Sequence, residues 1–177
     1  LERNGLVRHR RHKGTFVRDF DAADVRDLYE TRRLLEKAAA AKVHRAPVAE
    51  RTAAVLLRAM QQLESAIDGG EALAIVHADL GFHAAVVGML GNSRVDAFFS
   101  TVATEMLYAI AILEATDRES KLRPREVLKE HREIFEAFTA ADGHRAATLI
   151  DVHVDTNCSR LLRIIGTQPT DAADVTR

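Results

Sequence analysis

Tryptophan is absent from this chain, cysteine occurs once and proline three times in 177 residues. A single cysteine, Cys158, excludes an intrachain disulfide and suits a reducing compartment. Its neighbours Val154, Leu161 and Leu162 predict a buried thiol rather than a nucleophile. Aromatic residues make up only 5%, and the nine glycines fall at the ends of apolar segments rather than in repeating turns. No apolar run approaches the roughly 20 residues that cross a bilayer, so no membrane partner is expected. No signal peptide is visible at residue 1, where the chain opens without methionine, and a segment of a longer, cytoplasmic protein is expected. Asn157-Cys158-Ser159 formally fits a glycosylation acceptor, but it falls in an expected helix and is set aside.

What is present favours helices. The chain is 47% hydrophobic, and alanine, leucine, arginine and glutamate dominate it. That is enough for one well-formed core in an all-α domain. The net charge of −1 hides an asymmetry. Residues 1–18 carry Arg3, Arg8, Arg10, Arg11, Lys13 and Arg18 against Glu2 alone, while the rest has 19 basic and 25 acidic side chains. A basic end on an acidic body is a cue for a polyanion such as nucleic acid; a solvated basic loop has the same composition.

Residues 1–18 read as two short strands around a basic turn, with Gly5 and Gly14 as the flexible points. Such a hairpin is not stable alone and belongs to the edge of something larger. From Asp21, a plausible N-cap, the pattern turns helical. Val25, Leu28, Arg32, Leu35 and Ala39 share a face of a helix over about 22–45. Pro47 suits the first turn of the second helix, whose stripe is Leu56, Met60, Leu63 and Ile67 and whose end is Gly69-Gly70. A third runs over about 71–90 with Val76, Leu80, His83 and Val87 inward. The fourth, about 93–116, carries Val95, Phe98, Phe99, Val102, Met106 and Ile110. Pro124 opens the fifth, with Val127, His131, Ile134 and Phe138 at helical spacing. The sixth, about 144–166, has Ile150, His153, Val154, Leu161 and Ile165, and the tail 167–177 is expected to be disordered. Short connections and no internal repeat predict an all-α, antiparallel six-helix bundle.

Four residues carry the chemistry. Asp79 and His83 lie four apart, which places both on one helix face, a turn from each other. His131 and His153 sit on the inward stripes of two further helices. A buried carboxylate without a partner is costly. One divalent ion would satisfy it together with three imidazoles, and this donor set suits Zn, Ni, Fe, Co or Mn. An inward histidine is more often a hydrogen-bonded core residue, so periodicity alone leaves both readings open. His77 is rotated away from His83, His44 and His144 lie near helix ends, and His9 and His12 fall in the basic hairpin. Arg32 also faces inward and needs a carboxylate. That could be a ligand's, or Glu36 one turn on.

Several segments together resemble a known family. Leu1 to Val7 followed by Lys13-Gly14-Thr15-Phe16-Val17 resembles the end of the recognition helix and the wing of a GntR-type winged-helix domain. Leu28-Tyr29-Glu30-Thr31-Arg32-Arg33-Leu34-Leu35-Glu36 resembles the opening helix of the FadR-like C-terminal sensor domain, FCD. Asp79-x-x-x-His83, Gly91-Asn92, Glu130-His131-x-x-Ile134, Ala146 and His153 follow that domain's order and rough spacing. Six helices resemble its shorter, VanR-like form.

The resemblance implies three regions. Residues 1–18 would be the C-terminal wing of a truncated winged helix-turn-helix domain, with Arg8, Arg10, Arg11 and Lys13 as DNA contacts. Residues 19–166 would be the FCD domain, followed by the tail. It implies a homodimeric bacterial transcription regulator rather than an enzyme, acting on operator DNA through the full-length winged-helix domain. Its sensor domain would bind a small carboxylate effector over a divalent metal, zinc first, held by Asp79, His83, His131 and His153. Arg32 matches the family's effector-contacting arginine, and Asn157, one turn after His153, would line the same pocket. Without the base-reading helix, only weak, salt-sensitive DNA contact is expected of this stretch. Three alternatives stay open: a metal-dependent enzyme acting on a small carboxylate, a sensor domain with a purely structural metal, and a direct metal sensor.

Overall fold

The computed structural model describes residues 7–10, 14–17, 20–45, 49–116 and 123–167. Six helices follow a two-stranded hairpin among them: β1 (Val7–Arg10), β2 (Gly14–Val17), α1 (Ala22–Arg45), α2 (Glu50–Gly69), α3 (Ala72–Gly88), α4 (Ser93–Thr116), α5 (Pro124–Thr139) and α6 (Gly143–Thr167). The strands are antiparallel, with Val7 opposite Val17 and Arg10 opposite Gly14. The all-helical bundle expected from the sequence is therefore present. Arg11, Lys13, Pro47 and the tail from 168 lie outside the described residues, and of Arg8 and Arg10 only the backbone is described.

Local chemistry sets the boundaries. The Asp21 carboxylate accepts from the backbone N–H of Ala23 (2.8 Å) and Asp24 (2.9 Å), which caps α1. Gly70, at φ 72°, takes the left-handed conformation that closes α2. Glu71 caps α3 through its side chain. Helix α2 starts at Glu50 with Ala49 as its cap, three residues beyond the start that Pro47 would have set.

α1 packs chiefly on α6, α2 lies between α3 and α5, and α4 covers α3, α1 and α6. Lys37 meets Asp151 at 2.6 Å, and Arg33 meets Asp155, so α1 and α6 run antiparallel. The core joins Val25, Leu56, Val86, Phe82, Met106, Phe138, Ile150 and Val154 across all six helices. The expected inward stripes hold on α2, α3, α5 and α6, with Ile67, Val127 and Ile165 half-buried near the helix ends. Two details differ. Phe98 on α4 is 54% exposed, because Phe99, Val102 and Met106 already fill the packed side. On α1 the buried line runs through Val25, Tyr29, Arg32, Glu36 and Ala39, leaving Leu28 and Leu35 only half-buried. The Cys158 thiol is also only half-buried. Ser93–Leu113 of α4 has a mean hydropathy of 1.4 and is long and apolar enough, by composition, to cross a membrane. Arg94, Asp96 and Glu105 punctuate this stretch, so it is not the uninterrupted apolar run sought in the sequence.

Candidate metal centre

α3, α5 and α6 bring Asp79, His83, His131 and His153 to one point in the core, with ligand atoms all within 4.8 Å of one another. His83 and His131 are fully buried, and His153 is 3% exposed. Asp79 keeps 18% side-chain exposure. The Nε2 atoms of His83 and His131 lie 3.0 Å apart. Asp79 Oδ1 is 2.8 Å from His131 Nε2 and 4.0 Å from His83 Nε2. Phe82 stands edge-on to the rings of both His83 and His131 and walls the centre on one side.

Each imidazole is anchored by its other nitrogen. His131 Nδ1 donates to the Val127 carbonyl at 2.7 Å. His83 Nδ1 lies 2.9 Å from Glu36 Oε2, and His153 Nδ1 lies 2.8 Å from Glu130 Oε2. A carbonyl or an ionised carboxylate only accepts, so Nδ1 carries the proton in each ring. Burial, and then Arg32, push His83 down to about 3 against the pull of Glu36, which leaves it neutral. Burial lowers His153 as well, with Glu130 opposing. The neutral rings of His83 and His153, protonated at Nδ1, present lone pairs at Nε2.

This decides whether a cation fits. Two ring nitrogens 3.0 Å apart, with a carboxylate oxygen 2.8 Å from one of them, form a tight group of donor atoms that one cation would join. Burial alone would raise Asp79, but His131, His83 and Arg32 hold it well below the usual carboxylate range, so it is ionised. Donor separations up to 4.8 Å span the ~3.4 Å edge of a tetrahedron with ~2.1 Å bonds. Three nitrogens and one oxygen, each imidazole oriented by a second hydrogen bond, make a donor set able to hold a divalent ion.

Arg32 comes from α1 and is 1% exposed. Its Nε donates to Glu36 Oε1 at 2.7 Å, so the internal pair is real. Its Nη2 is buried and has no hydrogen-bond partner. Its guanidinium carbon also sits 5.9 Å from the centre of the Tyr29 ring. A cavity of about 30 Å³ adjoins the donor set, lined by Tyr29, Arg32, Asp79, Asn157, Arg160 and an apolar wall that includes Ile75 and Ile110. That volume admits about two water-sized groups.

Six of the residues singled out from the sequence thus gather here: the four donors, Arg32 and Asn157. Of the four hairpin residues, Arg11, Lys13 and the side chains of Arg8 and Arg10 lie outside the described residues. His77 is exposed, as expected. His44 and His144 are exposed too and pair edge-on at 4.2 Å between ring centroids, at another place in the bundle. Sequence reasoning missed Glu130, Tyr29, Arg160 and the Val127 carbonyl, and it saw Glu36 only as a partner for Arg32. The i,i+3 spacing of Asn157 and Arg160 was a readable signal for the latter.

The fold and its buried polar centre define an all-helical domain of the kind found in GntR-type regulators. Residues 27–156 match the model of the FCD domain, and the chain belongs to that family. It is similar to the HTH-type transcriptional regulator YdhC of Bacillus subtilis (strain 168), 26% identical over 167 residues, which cover 93% of this chain and 72% of YdhC. Among solved structures it is similar to a GntR transcriptional regulator of Rhodococcus sp. RHA1, with a TM-score of 0.79 and 22% identity over 95% of this chain and 76% of that one. It is also similar to the metal-free FCD domain of TM0439, with a TM-score of 0.65 and 14% identity over 85% of this chain and all of that one (100%).

Proposed function

We propose that this chain is the sensing part of a ligand-responsive transcription regulator, in which a divalent metal and a small organic acid together set DNA affinity. One observation carries the reading. Three imidazoles and a carboxylate converge on one point, next to a buried arginine whose Nη2 lacks a partner. Asp79, His83, His131 and His153 would hold the ion, zinc being the first choice for this donor set. Bound there, the ion would supply a Lewis-acidic position for a carboxylate oxygen.

The protein's own groups do the rest. Arg32 Nη2 pairs with the effector carboxylate while Nε stays on Glu36. Asn157 faces the same cavity and offers its amide. The apolar wall excludes water and strengthens these contacts. Because α1, α3, α5 and α6 all contribute, filling the cavity changes how they pack. That couples effector to DNA affinity. The regulator would work as a cytoplasmic homodimer on operator DNA, as the kinship with HTH-type regulators supports. Residues 1–18 would be the wing of its DNA-binding domain, touching phosphates through Arg8, Arg10, Arg11 and Lys13. An enzyme is disfavoured: the carboxylate best placed as a base, Glu36, is engaged on both oxygens.

Elemental analysis of tag-free protein, joined to thermal-shift screening of small carboxylates with and without a chelator, tests the reading. Stoichiometric metal, and acids that stabilise only the loaded form, are expected. Protein without metal, or acids that act equally on the chelated form, would sink it.

A further inference from the structure

α1 and α6 face each other through a ladder of side chains. Arg33 meets Asp155 and Lys37 meets Asp151, each a cation against a carboxylate. Seven residues on from Lys37 along α1, and seven back from Asp151 along α6, stand His44 and His144. Seven residues are two turns, so this pair lies on the same faces as the rungs before it. Here the rung changes character. Two imidazoles meet edge-on, with ring centroids 4.2 Å apart. Among the described residues, neither ring is hydrogen-bonded or ion-paired to a carboxylate. The nine residues from His144 to His153 put the pair ~13 Å along α6 from the core donors, at 1.5 Å per residue.

The backbone under this rung is fixed. Gly143 is buried, and a Cβ on it would stand 2.5 Å from His44 Cβ, so the two helices touch at this point. The separation of the rings is therefore set by packed helices rather than by a loop. Both side chains are exposed, so each ring turns about its second torsion at little cost, and water reaches both. The spacing suits a shared ion. The three core histidines have centroids 4.8 to 5.0 Å apart. With a metal–nitrogen bond of ~2.1 Å and the ring centre ~1.1 Å beyond the nitrogen, such separations subtend ~100° at an ion, near the tetrahedral angle. The 4.2 Å between His44 and His144 subtends ~80°, near the right angle between neighbouring ligands of a square or octahedral ion.

We propose that His44 and His144 form a second, surface metal site, which takes nickel(II) or copper(II) on one nitrogen from each ring, with water in the remaining positions. Imidazole suits both ions, and the near-right angle favours them over zinc. The site rests neither on the donor set at Asp79 nor on the reading of the cavity. An ion there joins the end of α1 to the start of α6, the two helices that carry Arg32 and Asn157.

The test is titration with nickel(II), in the presence of one equivalent of zinc, followed by calorimetry and by the imidazole proton NMR signals. One equivalent of nickel should bind. The paramagnetic ion should broaden the ring signals of His44 and His144 together, ahead of those of exposed His77. His44→Ala and His144→Ala should each weaken that equivalent about tenfold or more, because a lone imidazole loses its chelating partner. His77→Ala should leave it unchanged. Alanine keeps the Cβ at both positions, and the melting temperature without metal checks each fold. His131→Ala, which lacks a core donor, should still bind the outer equivalent, so failure of this site and failure of the core centre are told apart. Nickel uptake that survives undiminished in both His44→Ala and His144→Ala, broadening of one ring without the other, or no uptake at this pair overturns the inference.

Discussion

Glu36 holds Arg32 with one carboxylate oxygen, at 2.7 Å, and His83 with the other, at 2.9 Å. It is fully buried, and burial alone would raise its pKa, but His83 and Arg32 bring it down to about 2. The side chain that orients His83, a proposed metal donor, is therefore the one that holds Arg32, the proposed effector arginine. Replacing it by Gln should weaken zinc binding ~10–100-fold, as loss of an outer-shell partner does. Chelator competition measures this. Glu36→Ala should also destabilise the zinc-free fold by about 3–5 kcal/mol, because Arg32 is left buried without its counter-charge. Urea denaturation reads that cost, and an unchanged midpoint would contradict the role given to the pair.

His131 offers the sharpest test of the donor set. His131→Ala should abolish stoichiometric zinc, whereas His77→Ala, two residues before Asp79 and exposed on the same helix, should keep it. Zinc per chain by elemental analysis compares the two. Retention by the alanine variant at 131 would remove that residue from the site.

Acid should weaken the chelated protein before ordinary carboxylates titrate. In the folded chain His83 is depressed to about 3 from 6.5. Below pH 6.5 the unfolded chain takes up a proton there that the folded chain refuses until about 3. Stability is therefore complete above 6.5 and falls as pH drops through that window. Glu36 adds a further loss between 4.5 and about 2, since its folded value lies below the unfolded one. Melting curves from pH 8 to 4 should show the first decline starting near neutrality in wild type and reduced in His83→Gln.

Gly143 marks the closest approach of α1 and α6. A methyl group there would lie 2.3 Å from the Ala40 carbonyl oxygen and 2.5 Å from His44 Cβ. Backbone cannot yield as a flexible side chain does, so Gly143→Ala should part the helices and cost about 1–3 kcal/mol. A chain of this size loses roughly 2–4 °C of melting temperature for each kcal/mol. Gly81→Ala meets nothing within 4 Å and is the control.

Much of this was legible in the sequence. Asp79 and His83 could be paired because four residues return a helix to the same face, and Arg32 could be placed inward by the same count. The glycine and proline punctuation marked the helix ends to within about three residues. What escaped notice depends on register between helices, which no single-helix periodicity encodes. Glu130 lies next to His131 in sequence yet holds His153 on the facing helix. Tyr29 and Glu36 were overlooked as part of the buried line because a search for apolar repeats favoured Leu28 and Leu35. Phe98 was placed inward by hydrophobicity alone, while Phe99 had already taken that place.

The burial of the three imidazoles has a consequence for time as well as for affinity. Solvent meets the donor set mainly at Asp79, 18% exposed, and at Glu130 behind His153, 40% exposed. An ion held there can depart only when α3, α5 and α6 separate, an opening of the kind that hydrogen exchange reports over minutes to hours. Under the proposed function, an acid would reach the cavity past the partly exposed Arg160 of its lining without such an opening. On the timescale of a cell's changing diet the ion would be a fixed part of the protein, and the acid the quantity that varies.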